Sequence, residues 1–425
     1  MIRRLSDLIA RNRAGSREVV PSVCTTQPEA LSASLLLARE QRALLLVEAT
    51  SNQVNQFGGY TGMTPADFRQ RVDAMAQRLE VDPGQIVLGG DHLGPQVWRR
   101  DGAAAAMSAA RDMVRAYVQA GFRKIHLDCS EACAGDPQPL AQALCAERAA
   151  QLAAECEAAA PNPSSLAYVI GTEVPRPGGA LEEEEVLRPT RPQDAREVIE
   201  LHREAFARIA PAAWERVVAL VVQPGVEFSP QHVVHYDPAQ VGALETALHG
   251  QAQMCFEAHS TDYQRPGALA AIAAKHFAIL KVGPGLTDAF RSALYRLDGL
   301  ATDGESLGRP GDLAQALERL MVADDRHWRE HYRGAAPELR RLRHHSYADR
   351  IRYYWPQPAA QQAVAALYAR IDAAGGPRYV LRDLFTDSVL ERAEALAAVA
   401  GGPARALVLS SIQDALMPYF QTRDL

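Results

Sequence analysis

The sequence predicts an α/β fold, a (β/α)8 TIM barrel with a C-terminal helical extension. Two observations support this prediction: eight short apolar runs typical of strands, and intervening segments with apolar residues at helical spacing. Several runs are apolar almost throughout, as strands covered on both faces are. Strand and helix repeated about eight times indicate a barrel. The predicted strands are Val19–Cys24, Ala43–Glu48, Ile86–Gly90, Lys124–Asp128, Ala167–Glu173, Val217–Gln223, Met254–Glu257 and Ala278–Val282.

The segments between most of these strands are predicted to be helical. Gly121 follows one of them at the position of a C-terminal cap. A doubly wound open sheet is the alternative, but the chain has no GxGxxG after its first strand and no GxxxxGK[ST] anywhere. We expect residues 1–300 to form the barrel and residues 301–425 to form the helical extension. The predicted helices are Pro65–Leu79, Ala103–Ala120, Leu140–Ala159, Asp194–Ala210 and Pro266–His276.

Composition narrows the class of protein. The 425 residues are 48% hydrophobic and 23% charged, which is typical of a globular chain with a large core. A net charge of −6, with no basic stripe, argues against nucleic-acid binding. The six cysteines form no CxxC pair, so reduced thiols and a cytoplasmic location are expected. No signal peptide and no membrane span are expected, because no apolar run approaches about 18 residues.

Nearly every predicted strand ends in an ionisable or amide side chain. In a barrel of this type the active site lies at the carboxyl ends of the strands, so these residues are the candidates for catalysis and substrate binding. The candidate acids are Asp91, Asp128 and Glu173. The candidate substrate-binding residues among the polar side chains are Ser51, Asn52, Gln53, Ser130 and Gln223.

A metal site is the assembly that these strand ends favour. His92 and His259 follow different strands and are surrounded by carboxylates, a donor set that suits Zn²⁺ or another borderline divalent ion. Either histidine is alternatively a helix-capping or core residue. Asp91 precedes His92 and is placed to act as a general acid or base on a substrate hydroxyl without binding the metal.

The end of the eighth strand predicts an anion site. Lys281 pairs with barrel carboxylates or a phosphate, or is alternatively a Schiff-base lysine. The segment Gly283–Gly285 can expose backbone N–H groups to a phosphate, with Ser260 and Thr261 nearby. In the extension, Arg352 is a candidate phosphate ligand, although a buried helix with one cationic face is the alternative.

These residues together resemble one family, the GatZ/KbaZ family of D-tagatose-1,6-bisphosphate aldolase accessory subunits, which is distantly related to class II aldolases. The resemblance extends over nearly the whole chain and also includes Ser346–Trp355. The matching segments are Pro21–Thr26, Glu48–Gln56, Gly90–Pro95, His126–Ser130, Gly171–Pro175, Val222–Phe228, Phe256–Gln264 and Leu280–Pro284.

The resemblance implies a barrel with a C-terminal helical addition and a set of roles. It implies that Asp91 is the catalytic acid or base, and that His92 and His259 are metal ligands. The third ligand of class II aldolases is a histidine on strand six. This chain has no histidine there, and Glu227 is the nearest candidate.

The family implies two functions. Some members are similar to 4-epimerases that interconvert tagatose 6-phosphate and fructose 6-phosphate, and others are non-catalytic partners that stabilise an aldolase subunit. Because C4 of a 2-ketose is not adjacent to the carbonyl, inversion there needs transient oxidation or cleavage of C3–C4. No nicotinamide fingerprint is present, so we favour metal-dependent retro-aldol chemistry. Kinase activity is disfavoured because no nucleotide-phosphate loop is present.

The expected partners follow from this interpretation. We expect a phosphorylated ketose as substrate, a divalent metal, Zn²⁺ above others, as cofactor, and a homo-oligomer as the assembly. A class II aldolase catalytic subunit is the partner under the alternative function. Nucleic acid and membrane are not expected partners.

Overall fold

The computed structural model describes residues 2–171, 187–300, 311–375 and 378–423. Eight parallel strands close into a barrel, in the spatial order β1-β8-β7-β6-β5-β4-β3-β2. The predicted fold class is therefore confirmed. The barrel strands are β1 (Val20–Cys24), β2 (Leu45–Thr50), β3 (Ile86–Leu93), β4 (Lys124–Leu127), β5 (Ala167–Ile170), β6 (Val217–Val221), β7 (Cys255–Ala258) and β8 (Phe277–Val282).

Helices cover the outside of the barrel. The longer ones are α1 (Ile2–Arg13), α2 (Pro28–Glu40), α3 (Pro65–Arg78), α4 (Ala103–Gln119), α5 (Gln142–Ala159), α6 (Pro192–Ile209), α7 (Ala268–Ala273), α8 (Pro284–Leu300), α9 (Asp312–Ala323), α10 (Ala336–His345), α11 (Pro358–Ala374), α12 (Asp387–Ala400) and α13 (Pro403–Phe420). Short helices span Pro211–Trp214, Pro238–Val241 and Arg378–Leu381. The two-residue strands Glu227–Phe228 and Val233–Val234 form a hairpin outside the barrel.

Local signals explain where several helices begin. Thr64 and Asp67 form a reciprocal capping box at α3, which satisfies backbone N–H groups that have no partner inside the helix. Pro28 is the first residue of α2, and the Gln27 side chain accepts a hydrogen bond from the Ala30 N–H at 2.7 Å. Helix α2 was not predicted from the sequence, because nine of its residues are buried and its apolar residues do not form one stripe.

Pairing with neighbouring strands sets the strand ends. Strand β2 ends at Thr50 rather than Glu48, because Thr50 pairs with Asp91 of β3. The predicted fifth strand ran to Glu173, but β5 ends at Ile170, the last residue paired with β6. No helix among the described residues is long and apolar enough to cross a membrane. All six cysteines are free thiols.

The last helix joins the extension to the barrel. Helix α13 packs between α2 and α8, the helices that flank the closing strand pair β1 and β8. Its Gln413 side chain donates to the Ala33 carbonyl at 3.1 Å, and its Tyr419 hydroxyl donates to the Thr261 carbonyl at 2.9 Å. The C-terminal helices are thereby fixed to the barrel and to the loop after β7.

Gly94 gives a test of this packing. A Cβ atom at Gly94 would lie 1.6 Å from the Asp128 carbonyl oxygen, a backbone atom that cannot move away without a large cost in free energy. We expect Gly94→Ala to lower the free energy of unfolding by about 3 kcal/mol or more, the range of severe core overpacking. Urea unfolding measures the change.

Gly299 provides the matched control. It lies in α8, and a Cβ atom there would have no neighbour within 4 Å among the residues that the structure describes. Gly299→Ala should leave stability unchanged or raise it by up to about 1 kcal/mol, because alanine is the better helix former. Equal effects of the two substitutions would contradict the packing argument.

Candidate active site

A cleft opens at the carboxyl ends of the barrel strands, as the sequence predicted. Its empty volume is about 760 Å³, and both barrel loops and the extension line it. The predicted site residues that line this cleft are Asn52, Gln53, Asp91, His92, His259, Ser260, Lys281, Gly283 and Arg352. The residues predicted from the strand ends therefore include several that lie together in one cleft.

Three buried histidines lie together at the floor of the cleft. The ring centres of His92, His126 and His259 are 5.0 to 5.2 Å apart. His92 has a φ of +48°, a backbone conformation that costs energy in a residue other than glycine and is found most often at functional sites. Its Nδ1 lies 2.7 Å from Oδ2 of Asp128, which orients the ring and leaves Nε2 as the remaining ligand atom.

His126 and Glu257 are site residues that the sequence prediction missed. One donor atom from each of Asp91, His126, Glu257 and His259 lies within 4.8 Å of the others, and all four residues are buried. Side chains alternate along a strand, so His126 shares the barrel-inward face of β4 with Lys124. Charged or polar residues at alternate positions inside an apolar strand were the signal that could have revealed them.

Buried ion pairs connect this cluster across the barrel. Nζ of Lys124 lies 2.8 Å from Glu48 and 2.7 Å from Glu257, and all three side chains are fully buried. Lys281 pairs with Glu48 and, at 3.0 Å, with Asp91. Gly89 makes room for this network, because a Cβ atom there would lie 2.5 Å from Oε1 of Glu48.

The electrostatics define the protonation states. Burial by itself raises the pKa of Asp91, but His92 and Lys281 outweigh it and hold this pKa well below the ordinary value. Burial lowers the pKa of Lys281, yet Asp91 and Glu48 raise it well above the ordinary value. Lys281 is therefore an ammonium group that pairs with carboxylates. The Schiff-base alternative is disfavoured, because a nucleophilic amine must be neutral.

The residues fit a divalent metal ion. Nδ1 of His126 lies 2.9 Å from Oδ1 of Asp91, and its buried Nε2 has no hydrogen-bond partner in the described part of the chain. Burial lowers the pKa of His259 to about 3, so that ring is neutral, as a metal ligand must be. The imidazoles of His126 and His259 and the carboxylates of Asp91 and Glu257 offer ligand atoms within 4.8 Å of one another, a nitrogen and oxygen donor set that would hold a borderline divalent ion.

The charge around the histidines supports the same conclusion. Four buried carboxylates, on Glu48, Asp91, Asp128 and Glu257, face two buried ammonium groups, on Lys124 and Lys281. Burial lowers the pKa of His92, but Asp91 and Asp128 outweigh it and raise this pKa, so the His92 ring carries part of the compensating positive charge. A bound divalent cation would offset the remaining negative charge and would reduce the cost of burying unpaired charge.

The predicted phosphate loop needs a correction. The N–H groups of Gly283 and Gly285 donate to Oδ1 of Asp262 at 2.9 and 2.7 Å. Asp262 is buried and occupies the position that a phosphate would need at the start of α8. The prediction that these two N–H groups bind an anion is therefore wrong for this arrangement, and Gly285 does not line the cleft.

The extension contributes a cation and a phenol to the cleft. Arg352 and Tyr353 lie in a short 3-10 turn, Arg350–Tyr353, and both line the cleft. Lys281 and Arg352 are the cations among the described residues that line it, and the ammonium of Lys281 is already paired with Asp91. The guanidinium of Arg352 lies 3.2 Å from the Tyr353 hydroxyl and 4.7 Å from its ring centre. Arg352 is thus the cation available to a substrate.

Other predicted residues support the site from outside the cleft. Thr261 donates to the Lys281 carbonyl at 2.5 Å, and the Ser51 hydroxyl accepts a hydrogen bond from Gln96. Gln223 accepts from two N–H groups of its own loop, and Ser130 donates to Asp128. These four side chains organise loops instead of lining the cleft.

Two further predicted residues lie elsewhere. Glu227 is in the hairpin, where its Oε1 accepts a hydrogen bond from the Phe228 N–H at 2.9 Å. It is not part of the four-residue donor group described above. Its role as a metal ligand stays a prediction. Glu173 lies outside the described residues.

Comparisons with known proteins agree with this architecture. A D-tagatose 6-phosphate 4-epimerase from Agrobacterium fabrum is 46% identical over 98% of this chain and 97% of its own. The crystal structure of a probable tagatose 6 phosphate kinase from Sinorhizobium meliloti superposes with a TM-score of 0.83 at 43% identity, over 95% of this chain and 100% of its own. Residues 5–423 match the family described as D-tagatose-1,6-bisphosphate aldolase subunit GatZ/KbaZ-like. The chain belongs to this GatZ/KbaZ-like family.

Proposed function

We propose that this chain is a metal-dependent sugar-phosphate 4-epimerase that interconverts D-tagatose 6-phosphate and D-fructose 6-phosphate. The 46% identical relative bears the name of this activity. The observation that carries the proposal is a buried base, Asp91, beside three clustered histidines at the floor of the cleft. A subunit with a purely structural role has no need for buried charges whose burial costs free energy.

The proposed reaction cleaves and re-forms the C3–C4 bond. Asp91 takes the proton of the C4 hydroxyl, the C3–C4 bond breaks, and its electron pair moves toward the C2 carbonyl. The products held in the site are an enediolate and a three-carbon aldehyde phosphate. When the aldehyde turns over, C3 adds to its other face and the opposite configuration at C4 results. Burial raises the pKa of Asp91, but His92 and Lys281 outweigh it and keep Asp91 ionised, as the base of the first step must be.

We propose that His126 and His259, both members of the four-residue donor group, hold the metal together with His92, which lies outside that group but has its ring centre 5.0 to 5.2 Å from theirs. His92 and His259 are the ligands expected from the sequence, and His126 replaces Glu227 as the third. A divalent ion bound there supplies the Lewis acidity that cleavage beside a carbonyl requires. Asp128 orients His92, and Asp91 lies against His126 through the hydrogen bonds described above.

Arg352 is proposed to bind the substrate phosphate. Its guanidinium donates through Nη1 to the Ala348 and Asp349 carbonyls and through Nη2 to the Tyr353 hydroxyl. A planar guanidinium suits phosphate oxygens. Ser260, which lines the same cleft with a φ of +54°, is a second candidate contact.

A direct assay tests the function. The purified chain, loaded with Zn²⁺, should convert fructose 6-phosphate to tagatose 6-phosphate, and Asp91→Asn should reduce kcat by about 10²-fold or more, the usual contribution of a general base. Failure of the metal-loaded wild type would refute the proposal. The family description names aldolase subunits, so the same chain should also be assayed with a class II aldolase; activity that appears only in that mixture would favour the accessory role.

Metal content should distinguish His126 from Glu227. We expect His126→Ala to weaken Zn²⁺ binding by at least about tenfold, because it removes a buried ligand atom. Glu227→Gln should keep the wild-type affinity. Competition against a chelator, followed by elemental analysis, measures both variants. The reverse result would make Glu227 the third ligand.

Phosphate binding can be tested with Arg352→Ala. We expect KM for fructose 6-phosphate to rise by about tenfold or more, because a charged hydrogen bond to phosphate contributes about 1.5–3 kcal/mol. Arg326→Gln is the control, since Arg326 is an exposed arginine of the same extension, paired with Asp324. If Arg352→Ala lowers the unfolding temperature and leaves KM unchanged, Arg352 is structural only.

A further inference from the structure

The proposed epimerisation has a stereochemical requirement that Asp91 alone does not meet. When the aldehyde turns over between cleavage and addition, its oxygen moves from one side of the reacting carbon to the other. The group that removes the C4 proton from one epimer is then directed away from the new alkoxide. A second group must deliver the proton there, from a different wall of the cleft.

Tyr353 is placed to be that group. It lines the same cleft as Asp91 but belongs to the extension, whereas Asp91 lies at the end of barrel strand β3. Asp91 is 1% exposed, and Tyr353 is only partly buried. Asp91 therefore reaches the cleft from the barrel, and Tyr353 reaches it from the extension. A substrate between them has an acid or base on either side.

Asp349 fixes the turn that carries Tyr353. It is buried, and its φ of +42° reverses the chain before the turn Arg350–Tyr353. Its carboxylate accepts from Thr287 at 2.6 Å and from Arg291 at 2.9 Å, both on α8. The turn is thus held against the helix that follows β8, which gives the Tyr353 ring a defined position.

The surroundings of Tyr353 favour loss of its proton. The guanidinium carbons of Arg350 and Arg352 lie 4.8 and 4.7 Å from its ring centre. The His327 ring stacks on it at 4.8 Å with an interplanar angle of 3°, and the Tyr60 ring lies 4.6 Å away. Burial by itself raises the pKa of Tyr353, but Arg352 and Arg350 outweigh burial and lower the pKa.

We propose that the Tyr353 phenol is the second proton-transfer group of the reaction, acting on the C4 oxygen after the aldehyde has turned. The inference rests on the proposed epimerase function. In one direction, Asp91 takes the C4 proton, C3–C4 breaks, C3–C4 re-forms on the other face, and the Tyr353 hydroxyl protonates the new alkoxide. The enzyme is left with protonated Asp91 and a Tyr353 phenolate. Exchange of one proton with water restores the starting state, and the opposite direction uses the same steps in reverse.

Tyr353→Phe tests the proposal. The substitution removes only a hydroxyl, whose described hydrogen-bond partner is the Arg352 guanidinium. We expect kcat to fall by about 10²-fold or more while KM changes by less than about threefold, as for the loss of one general acid. The alkaline limb of the pH profile of kcat/KM should also disappear, since that limb reports loss of the phenol proton.

Tyr354→Phe is the matched control. It removes a neighbouring phenol hydroxyl that bonds to the Asp324 carbonyl and does not line the cleft. This variant should keep wild-type kcat and its alkaline limb. A Tyr353→Phe protein with wild-type kcat and pH profile, or with only a raised KM, overturns the proposal. An inactive wild type would instead refute the epimerase function.

A spectroscopic titration of the wild type tests the proposal even if the Tyr353→Phe variant does not fold. Ultraviolet titration of the wild type should show one tyrosine that ionises before the others, with the same midpoint as the alkaline limb. The substrate-free, folded wild type is sufficient for this measurement. If no tyrosine ionises early, the proposal fails even if Tyr353→Phe cannot be purified.

Discussion

A fully buried ammonium group shared by two carboxylates determines how this site is built. Lys124 joins Glu48 on β2 to Glu257 on β7 across the barrel interior, and Lys281 continues the chain of charges to Asp91. Removing one partner from such a buried pair costs about 3–5 kcal/mol, because the other charge is left without compensation. The network therefore ties five strands together beneath the cleft. The base and the histidines lie on this fixed floor.

The extension completes a site that the barrel begins. Barrel strands β3 and β4 and the loop after β7 supply the buried acid and imidazoles, whereas a cation and a phenol come from one short turn about 70 residues beyond the last barrel strand. Asp349 fastens this turn to α8, and α13 packs between α2 and α8. Residues from the barrel and from the extension thereby line one cleft, and charged groups reach it from both parts of the chain.

The fold and about half of the site could be predicted from the sequence. Strand ends are visible as apolar runs that stop, so Asp91, His92, His259 and Lys281 were found. His126 was missed because it lies within a strand, where alternation rather than position at the end decides which side chains face the interior. Glu257 ends the predicted seventh strand, but no role was assigned to it. The prediction of a phosphate loop at Gly283 was wrong because Asp262, 21 residues earlier, accepts the hydrogen bond of the Gly283 N–H. The spacing of residues along the chain does not show that a side chain competes with a phosphate for the same N–H group.

The sequence by itself determined the barrel, its helical extension and the face on which the chemistry lies. These follow from local patterns, since burial on both faces and helical periodicity can be recognised from consecutive residues. Only the tertiary structure decided which donors meet. His126 joins His92 and His259 because barrel closure brings β3, β4 and β7 to one axis. Arg352 and Tyr353 reach that cleft because a strained Asp349 turns the chain there, and no local pattern records a contact made between such distant residues.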